Sequence, residues 1–322
     1  MEQGAVTLPA PAPPRTPVAA GVELEIPRGR YAPPPGEPRR VGYLYILPGL
    51  LAYVAFALVP LLHAGWLSFT TWDGVTPATW TGISNYRELF ADPELRGAFL
   101  HALVLVLFYS FLPIAIGLLL AASLSRMRVR GLSAFRAVLF LPQIIAMVVV
   151  AVIWRWIYSP DGPLNQGLDA AGLDSATRAW LGDFTWALPS IGLAGTWVMY
   201  GLCMVLFIAG VQKIPTSLYD AARVDGAGPI REFRAVTLPG LRNEIVVVLV
   251  LTMIAALRNF DLVFVTTAGG PGDSTKVPAL EVYVRAFQVG DVGAASAIGV
   301  TLALVIFAVT FLVTRLGERR SP

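Results

Sequence analysis

The chain has 322 residues, of which 56% fall in the set AVILMFWYC and only 14% are charged, with a formal net charge of +3. Ordinary globular chains carry roughly 25% charged residues, and so few charges could not cover this much apolar surface in water. A soluble fold is therefore excluded, and an all-α membrane protein is expected. The single cysteine excludes an intrachain disulfide.

Residues 1–40 differ from the rest of the chain. They hold Pro9, Pro11, Pro13, Pro14, Pro17, Pro27, Pro33, Pro34, Pro35 and Pro38. This composition predicts a disordered or polyproline-like tail. The tail has no apolar run, so it does not read as a cleavable signal peptide. The remainder, 41–322, reads as one transmembrane domain.

A membrane helix needs about 20 mostly apolar residues. Six segments meet this in chain order: 43–67, 98–122, 137–157, 187–211, 243–265 and 293–314. Several contain Pro or Gly (Pro48, Pro60, Pro113, Pro142, Pro189, Gly192, Gly195), which a helical bundle tolerates when neighbours re-satisfy the freed backbone groups.

Arginine and lysine in the loops predict the orientation. One side carries Arg15, Arg28, Arg30, Arg39, Arg40, Arg126, Arg128, Arg130, Arg136, Lys213, Arg223, Arg231, Arg234, Arg242, Arg315, Arg319 and Arg320. The other carries only Arg87, Arg96, Arg178, Lys276 and Arg285. Seventeen against five predicts cytoplasmic N and C termini. Trp66, Trp72, Trp154, Trp156 and Trp186 near span ends are expected to mark the outer boundary.

Two polar stretches within spans are candidates for a solute path, since charge at bilayer depth costs roughly 3 kcal/mol or more. Arg258, Asn259, Phe260 and Asp261 lie late in the fifth segment. Arg258 and Asp261 are three apart, so they either pair on one helix face near the outer boundary or line the path. There, an amide, a guanidinium and a carboxylate would supply donors and acceptors for hydroxyls, and Phe260 a flat apolar surface. Gln143, after Pro142, is a second candidate, with helix packing as its alternative role.

The loop between the fourth and fifth segments, about 212–240, is too long for a plain connector. Ser217 followed by Asp220 predicts a capped helix start. Gly226 is expected to end that helix, Pro229 to begin the next, and Pro239 to stop it. Small Ala221 and Ala222 would let another surface approach closely.

Asp220-Ala221-Ala222, then Gly226, then Val236-Thr237-Leu238-Pro239, resembles the EAA motif of ATP-binding-cassette (ABC) importer permeases. Asp220 stands where Glu is usual, and Val236 where Ile is usual. Asp225-Gly226-Ala227 and Phe233 are similar to the carbohydrate branch. So are Pro60-Leu61-Leu62, Asn85-Tyr86, Phe140-Leu141-Pro142 and Thr267-Ala268-Gly269-Gly270-Pro271, whereas His101-Ala102 departs from a common Asn-Thr pair. The resemblance runs from about residue 45 to 315.

It implies a type I ABC importer permease fold in a bacterial cytoplasmic membrane, and a sugar or polyol as solute. It also implies that Asp220, Ala221, Ala222, Asp225, Gly226, Ala227, Phe233, Leu238 and Pro239 form a loop seated on a cytoplasmic ATPase. The partners it implies are a second homologous permease, an ABC ATPase dimer and an extracytoplasmic solute-binding protein. ATP and magnesium would sit on the ATPase, and the asparagine of the fifth segment, Asn259, would contribute to the solute site. Another solute, such as a glycerol phosphate diester, an amino acid or a peptide, stays open, as does a secondary transporter.

The residues agree that ATP is hydrolysed elsewhere. A P-loop needs Gly-Lys-Ser/Thr, and the two lysines are followed by Ile214 and Val277. His63, His101 and Cys203 are far apart in apolar surroundings and predict packing or bilayer-facing roles rather than a metal site. Nothing in the chain points to nucleic acid.

Overall fold

The structure, a computed structural model, describes residues 41–125 and 131–318. The expected tail and Arg126, Arg128, Arg130, Arg319 and Arg320 lie outside them. The chain divides after Phe56 into two compact units. The described part of the first is helical. The second begins at Ala57 and holds both candidate sites.

Among the described residues, four helices are long and apolar enough to cross a membrane. These are α1 (Tyr43–Leu67), α3 (Pro93–Leu124), α7 (Ala187–Val211) and α13 (Val292–Glu318). Between α1 and α3 lie a two-stranded hairpin, β1 (Thr70–Thr71) with β2 (Thr79–Trp80), and α2 (Ser84–Ala91). Two bent pairs supply the other apolar crossings, giving up to six. Helix α4 (Leu132–Ile144) turns by 95° into α5 (Met147–Ile157). A short α6 (Pro163–Ala170) precedes α7, and α8 (Thr216–Val224) follows it. Helix α9 (Pro229–Gly240) turns by 70° into α10 (Arg242–Leu257). Two short helices, α11 (Asp261–Thr266) and α12 (Pro278–Tyr283), lead to α13.

Prolines explain three irregular turns. A π turn at Val54–Leu58 ends two residues before Pro60, one at Leu107–Phe111 before Pro113, and one at Phe233–Thr237 before Pro239. Proline has no N–H for the carbonyl four residues back, so the ladder shifts to five-residue bonds. The Leu112 N–H then donates to Leu107 and the Leu238 N–H to Phe233. The carbonyl of Phe108, left by this shift, accepts instead from the Thr196 hydroxyl on α7 at 2.6 Å. Pro239 therefore does not stop its helix at once: α9 continues to Gly240 before the bend.

Helices α3 and α7 form the centre of the bundle. Glycines let them touch, as expected where apolar packing alone holds helices in lipid. A Cβ on Gly117 would lie 2.6 Å from that of Cys203, and one on Gly192 or Gly195 would strike the rings of Phe108 or Tyr109. Cys203 is buried in this seam, which fits the packing role.

The loop-side ends of the helices are clasped by charge. Lys276 Nζ contacts Glu94 at the start of α3, Asp273 at 3.0 Å, and Glu281 of α12 at 3.4 Å. Arg285 contacts Glu88 at 3.1 Å, Asp92 at 3.3 Å and Glu281 at 3.8 Å. Partial burial opposes the charge on Lys276, but Glu94, Asp273 and Glu281 more than offset this and hold its ammonium above the ordinary lysine range. His101 is not in purely apolar surroundings: its Nδ1–H donates to the carbonyl of Lys276 at 2.9 Å. Glu281 is only 4% exposed, so it depends on these cations. Removing one partner of a buried pair costs about 3 kcal/mol or more. Lys276→Met is therefore expected to lower the melting temperature of the solubilised protein, and Lys276→Met with Glu281→Met to restore much of it. A double variant as unstable as the sum of the singles would assign the clasp no net coupling.

Candidate functional site

The fifth segment does not form one continuous helix. Helix α10 ends at Leu257, the chain leaves helical geometry, and α11 begins at Asp261. The break exposes Arg258, Asn259, Phe260 and Asp261 to one cavity of about 330 Å³. Tyr109 of α3, Met147 of α5, Met199 of α7, and Leu251, Ile254 and Ala255 of α10 complete its walls. Three distant segments thus meet the polar break, at the contact between the two broken spans and the central pair.

Arg258 and Asp261 do not pair: no ion pair joins them within 4.0 Å among the described residues, and both are exposed to the cavity. The pairing expected for a continuous helix face fails because the helix stops between them. Asn259 is buried, and its Nδ2 has no hydrogen-bond partner; the Tyr109 hydroxyl is likewise buried and unpartnered. An unsatisfied buried polar group costs about 1–3 kcal/mol, so the cavity favours an occupant that accepts hydrogen bonds. Phe260 forms part of the wall while stacking on Phe264 at 5.1 Å and contacting Tyr283 at 5.4 Å. It is a held, flat, apolar surface.

Gln143 is not brought to this cavity. It is the next-to-last residue of α4, directly before the α4–α5 break, its Oε1 buried without a partner. Tyr109, from the second apolar segment, adds the hydroxyl of this wall. Its signal lies in the pairing with Gly195, since glycine leaves room for a ring.

The second site is the loop after α7. Helix α8 begins after Pro215, with no side-chain cap, so Ser217 and Asp220 do not form the expected capping box. Asp220 instead lies 3.3 Å from Arg223. The helix ends as expected. Gly226 adopts φ +73°, its N–H donates to Arg223 at 3.0 Å, and the Ala227 N–H donates to Ala222 at 2.9 Å. This doubly bonded C-terminal motif requires a left-handed residue. Gly228 and Pro229 then open α9.

The two faces of α8 differ. Tyr219 and Ala222 turn inward, where the Tyr219 hydroxyl lies 3.2 Å from that of Thr237. Arg223 reaches the buried Glu232 at 3.6 Å. Leu218, Ala221 and Val224 face out, Val224 being 87% exposed. Ala221 and Ala222, adjacent in sequence, therefore serve opposite faces. Asp220, Asp225 and Gly226 are exposed, Ala227 and Phe233 half-buried, and Leu238 and Pro239 exposed on α9. Together α8 and α9 present an outward surface of apolar groups, with Ile230 beside them. A cavity of about 490 Å³ lies behind α8, lined by Arg136, Gln212, Arg223 and Glu232 among others.

Residues 113–322 match the family described as "Binding-protein-dependent transport system inner membrane component". The chain belongs to this family. It is a multi-pass inner-membrane permease, not an enzyme. The permease is 38% identical over 275 residues to the probable ABC transporter permease protein YurN of Bacillus subtilis, covering 84% of this chain and 94% of that one. It is 34% identical over 290 residues to the diacetylchitobiose uptake system permease protein NgcF of Streptomyces coelicolor, covering 84% and 82%. A bacterial ABC transporter involved in the import of the acidic polysaccharide alginate contains a chain of the same fold. That match has a TM-score of 0.76 and 23% identity over 88% of the permease and 96% of that chain. The fold is that of type I ABC importer permeases.

Proposed function

We propose that this permease translocates a sugar or related polyol, delivered by a solute-binding protein, across the cytoplasmic membrane. Six spans with both termini cytoplasmic fit the seventeen-to-five distribution of cations in the sequence. The observation that carries the reading is the cavity at the α10–α11 break. It offers unpartnered Tyr109 and Asn259, charged Arg258 and Asp261, and the flat ring of Phe260 within one wall. Such a set gives donors and acceptors to hydroxyls and an apolar face to a sugar ring. The identity to a diacetylchitobiose permease supports the same class.

The outward face of α8 and α9 is the seat for an ATPase dimer, which holds ATP and magnesium. A second permease closes the open side of the cavity. Closure of the ATPase around ATP displaces α8. Helix α9 passes the movement through the 70° bend into α10, a 16-residue helix that carries it about 24 Å to the break at Arg258. Ion pairs such as Lys213–Glu244 at 3.0 Å tie the loop to α10. The cavity then opens alternately to the two sides.

The test is reconstitution of the permease with its companion permease, ATPase and binding protein, and uptake from a panel of neutral oligosaccharides, acidic sugars, amino acids and glycerol phosphate diesters. ATP-dependent uptake of a sugar is expected. Uptake unchanged with a hydrolysis-dead ATPase, or uptake confined to amino acids or phosphodiesters, refutes the proposal. The unpaired Arg258 favours one variant of it, an acidic sugar, which the same panel reveals.

A further inference from the structure

A cleft of about 570 Å³ lies away from the solute cavity, within the size range of ligand sites. Six aromatic side chains line it: Trp154 from α5 and Tyr158 just after it, Trp180 and Trp186 from the loop before α7, and Trp197 and Tyr200 from α7. Trp186 sits just before the first residue of α7, while Tyr200 lies about 20 Å farther along that helix. The cleft thus runs from a span end, where indoles prefer the headgroup level, toward the middle of the hydrocarbon.

Its chemistry is graded along that axis. Beside the lining at the span end stands Arg178, its guanidinium 5.1 Å from the ring centre of Trp180 and 4.7 Å from that of Trp186. Its Nε–H donates to the carbonyl of Ala176 at 3.0 Å, and no carboxylate lies within 4.0 Å of it among the described residues. Oδ1 of Asp183 accepts the N–H groups of Thr185 and Trp186. Deeper, the wall is aromatic and aliphatic, with Leu193, Trp197 and Tyr200 in succession along α7 and Ile116 from α3.

Three polar side chains of the wall are spent within the chain. The Tyr158 hydroxyl donates to Ser190, Trp180 Nε1 to Asn165, and the Thr196 hydroxyl to Phe108. The exposed wall is overwhelmingly apolar, which disfavours a sugar despite the aromatic rings. Below the rim the Nε1–H of Trp154 is buried and unpartnered. A cation at the headgroup level, a buried free donor below it and an apolar slot beneath match the order of phosphate, ester and acyl chain in a phospholipid.

We propose that this cleft binds an anionic phospholipid, its acyl chain along the aromatic wall and its phosphate at Arg178. On the orientation proposed above, the lipid comes from the outer leaflet. The site joins α5 to α7, and α5 also carries Met147 of the solute cavity, so the lipid holds a wall of that cavity in place.

The tryptophans report on the site. The assembled transporter is placed in phosphatidylcholine nanodiscs with increasing brominated phosphatidylglycerol, whose bromines quench nearby indoles. Quenching is expected to saturate at a low fraction of that lipid. Arg178→Gln should raise the half-saturating fraction about fivefold, the effect of one interfacial cation, and Arg178→Lys should restore most of it. Leu193→Trp, which fills the slot with the cation intact, should remove the saturable phase. Quenching that grows in proportion to either brominated phosphatidylglycerol or brominated phosphatidylcholine, equally with Gln at 178, overturns the proposal. So does the absence of quenching by any brominated lipid, which would show the cleft covered by the second permease. Failure of sugar uptake would leave these readings unaffected.

Discussion

Gly226→Val is expected to abolish ATP-driven uptake and to release the ATPase subunit during purification, while the permease inserts at the wild-type level. Gly226 holds φ +73°, a geometry that costs an ordinary L-residue about 1–2 kcal/mol and is worse for a β-branched one. A side chain there meets no atom within 4 Å, so bulk by itself is not the source of the effect. The defect is conformational. Without the left-handed residue, the bonds from Gly226 to Arg223 and from Ala227 to Ala222 cannot both persist, and the turn between α8 and α9 opens. The outward face of Leu218, Ala221 and Val224 then loses its relation to α9. Gly226→Asn separates geometry from size, because asparagine tolerates this region. It is expected to keep most of the activity. Uptake and co-purification of the ATPase check both variants; Val as active as wild type, or Asn as inactive as Val, refutes the account.

Gly195→Ala is expected to damage both stability and transport, although it adds one methyl group. The added Cβ falls on the ring of Tyr109, which is only 1% exposed and pinned between α3 and α7. Overpacking of this kind costs about 1–3 kcal/mol. The ring also forms a wall of the cavity at the α10–α11 break, so its displacement alters the candidate site as well as the seam. A fall in melting temperature and a severalfold loss of uptake should result. Tyr109→Ala removes the struck ring. The double variant should then be no worse than Tyr109→Ala alone, a strongly non-additive result. Full additivity would show that the contact is not the cause.

The fourth span, 187–211, was legible to the residue, and the second and sixth to within a turn or so at each end. Backbone in lipid must be satisfied within its own segment, so apolar runs write helices locally. The loop after α7 was legible for a similar reason: Gly226 and Pro229 act on their own φ angles. The capping box at Ser217 was not realised, since Pro215 starts α8 two residues earlier than that box requires.

The sequence by itself determined that this is a membrane protein, where its apolar segments lie, and how the loop after α7 is punctuated. Each of these depends on properties of neighbouring residues. The tertiary structure decided the rest. It broke the fifth segment after Leu257, unpaired Arg258 from Asp261, and set Tyr109 opposite them. It placed Gln143 elsewhere, split Ala221 from Ala222, and made Lys276 a hub with Glu94, a residue 182 positions away. These outcomes depend on groups brought together from distant parts of the chain, and no local pattern records which groups those will be.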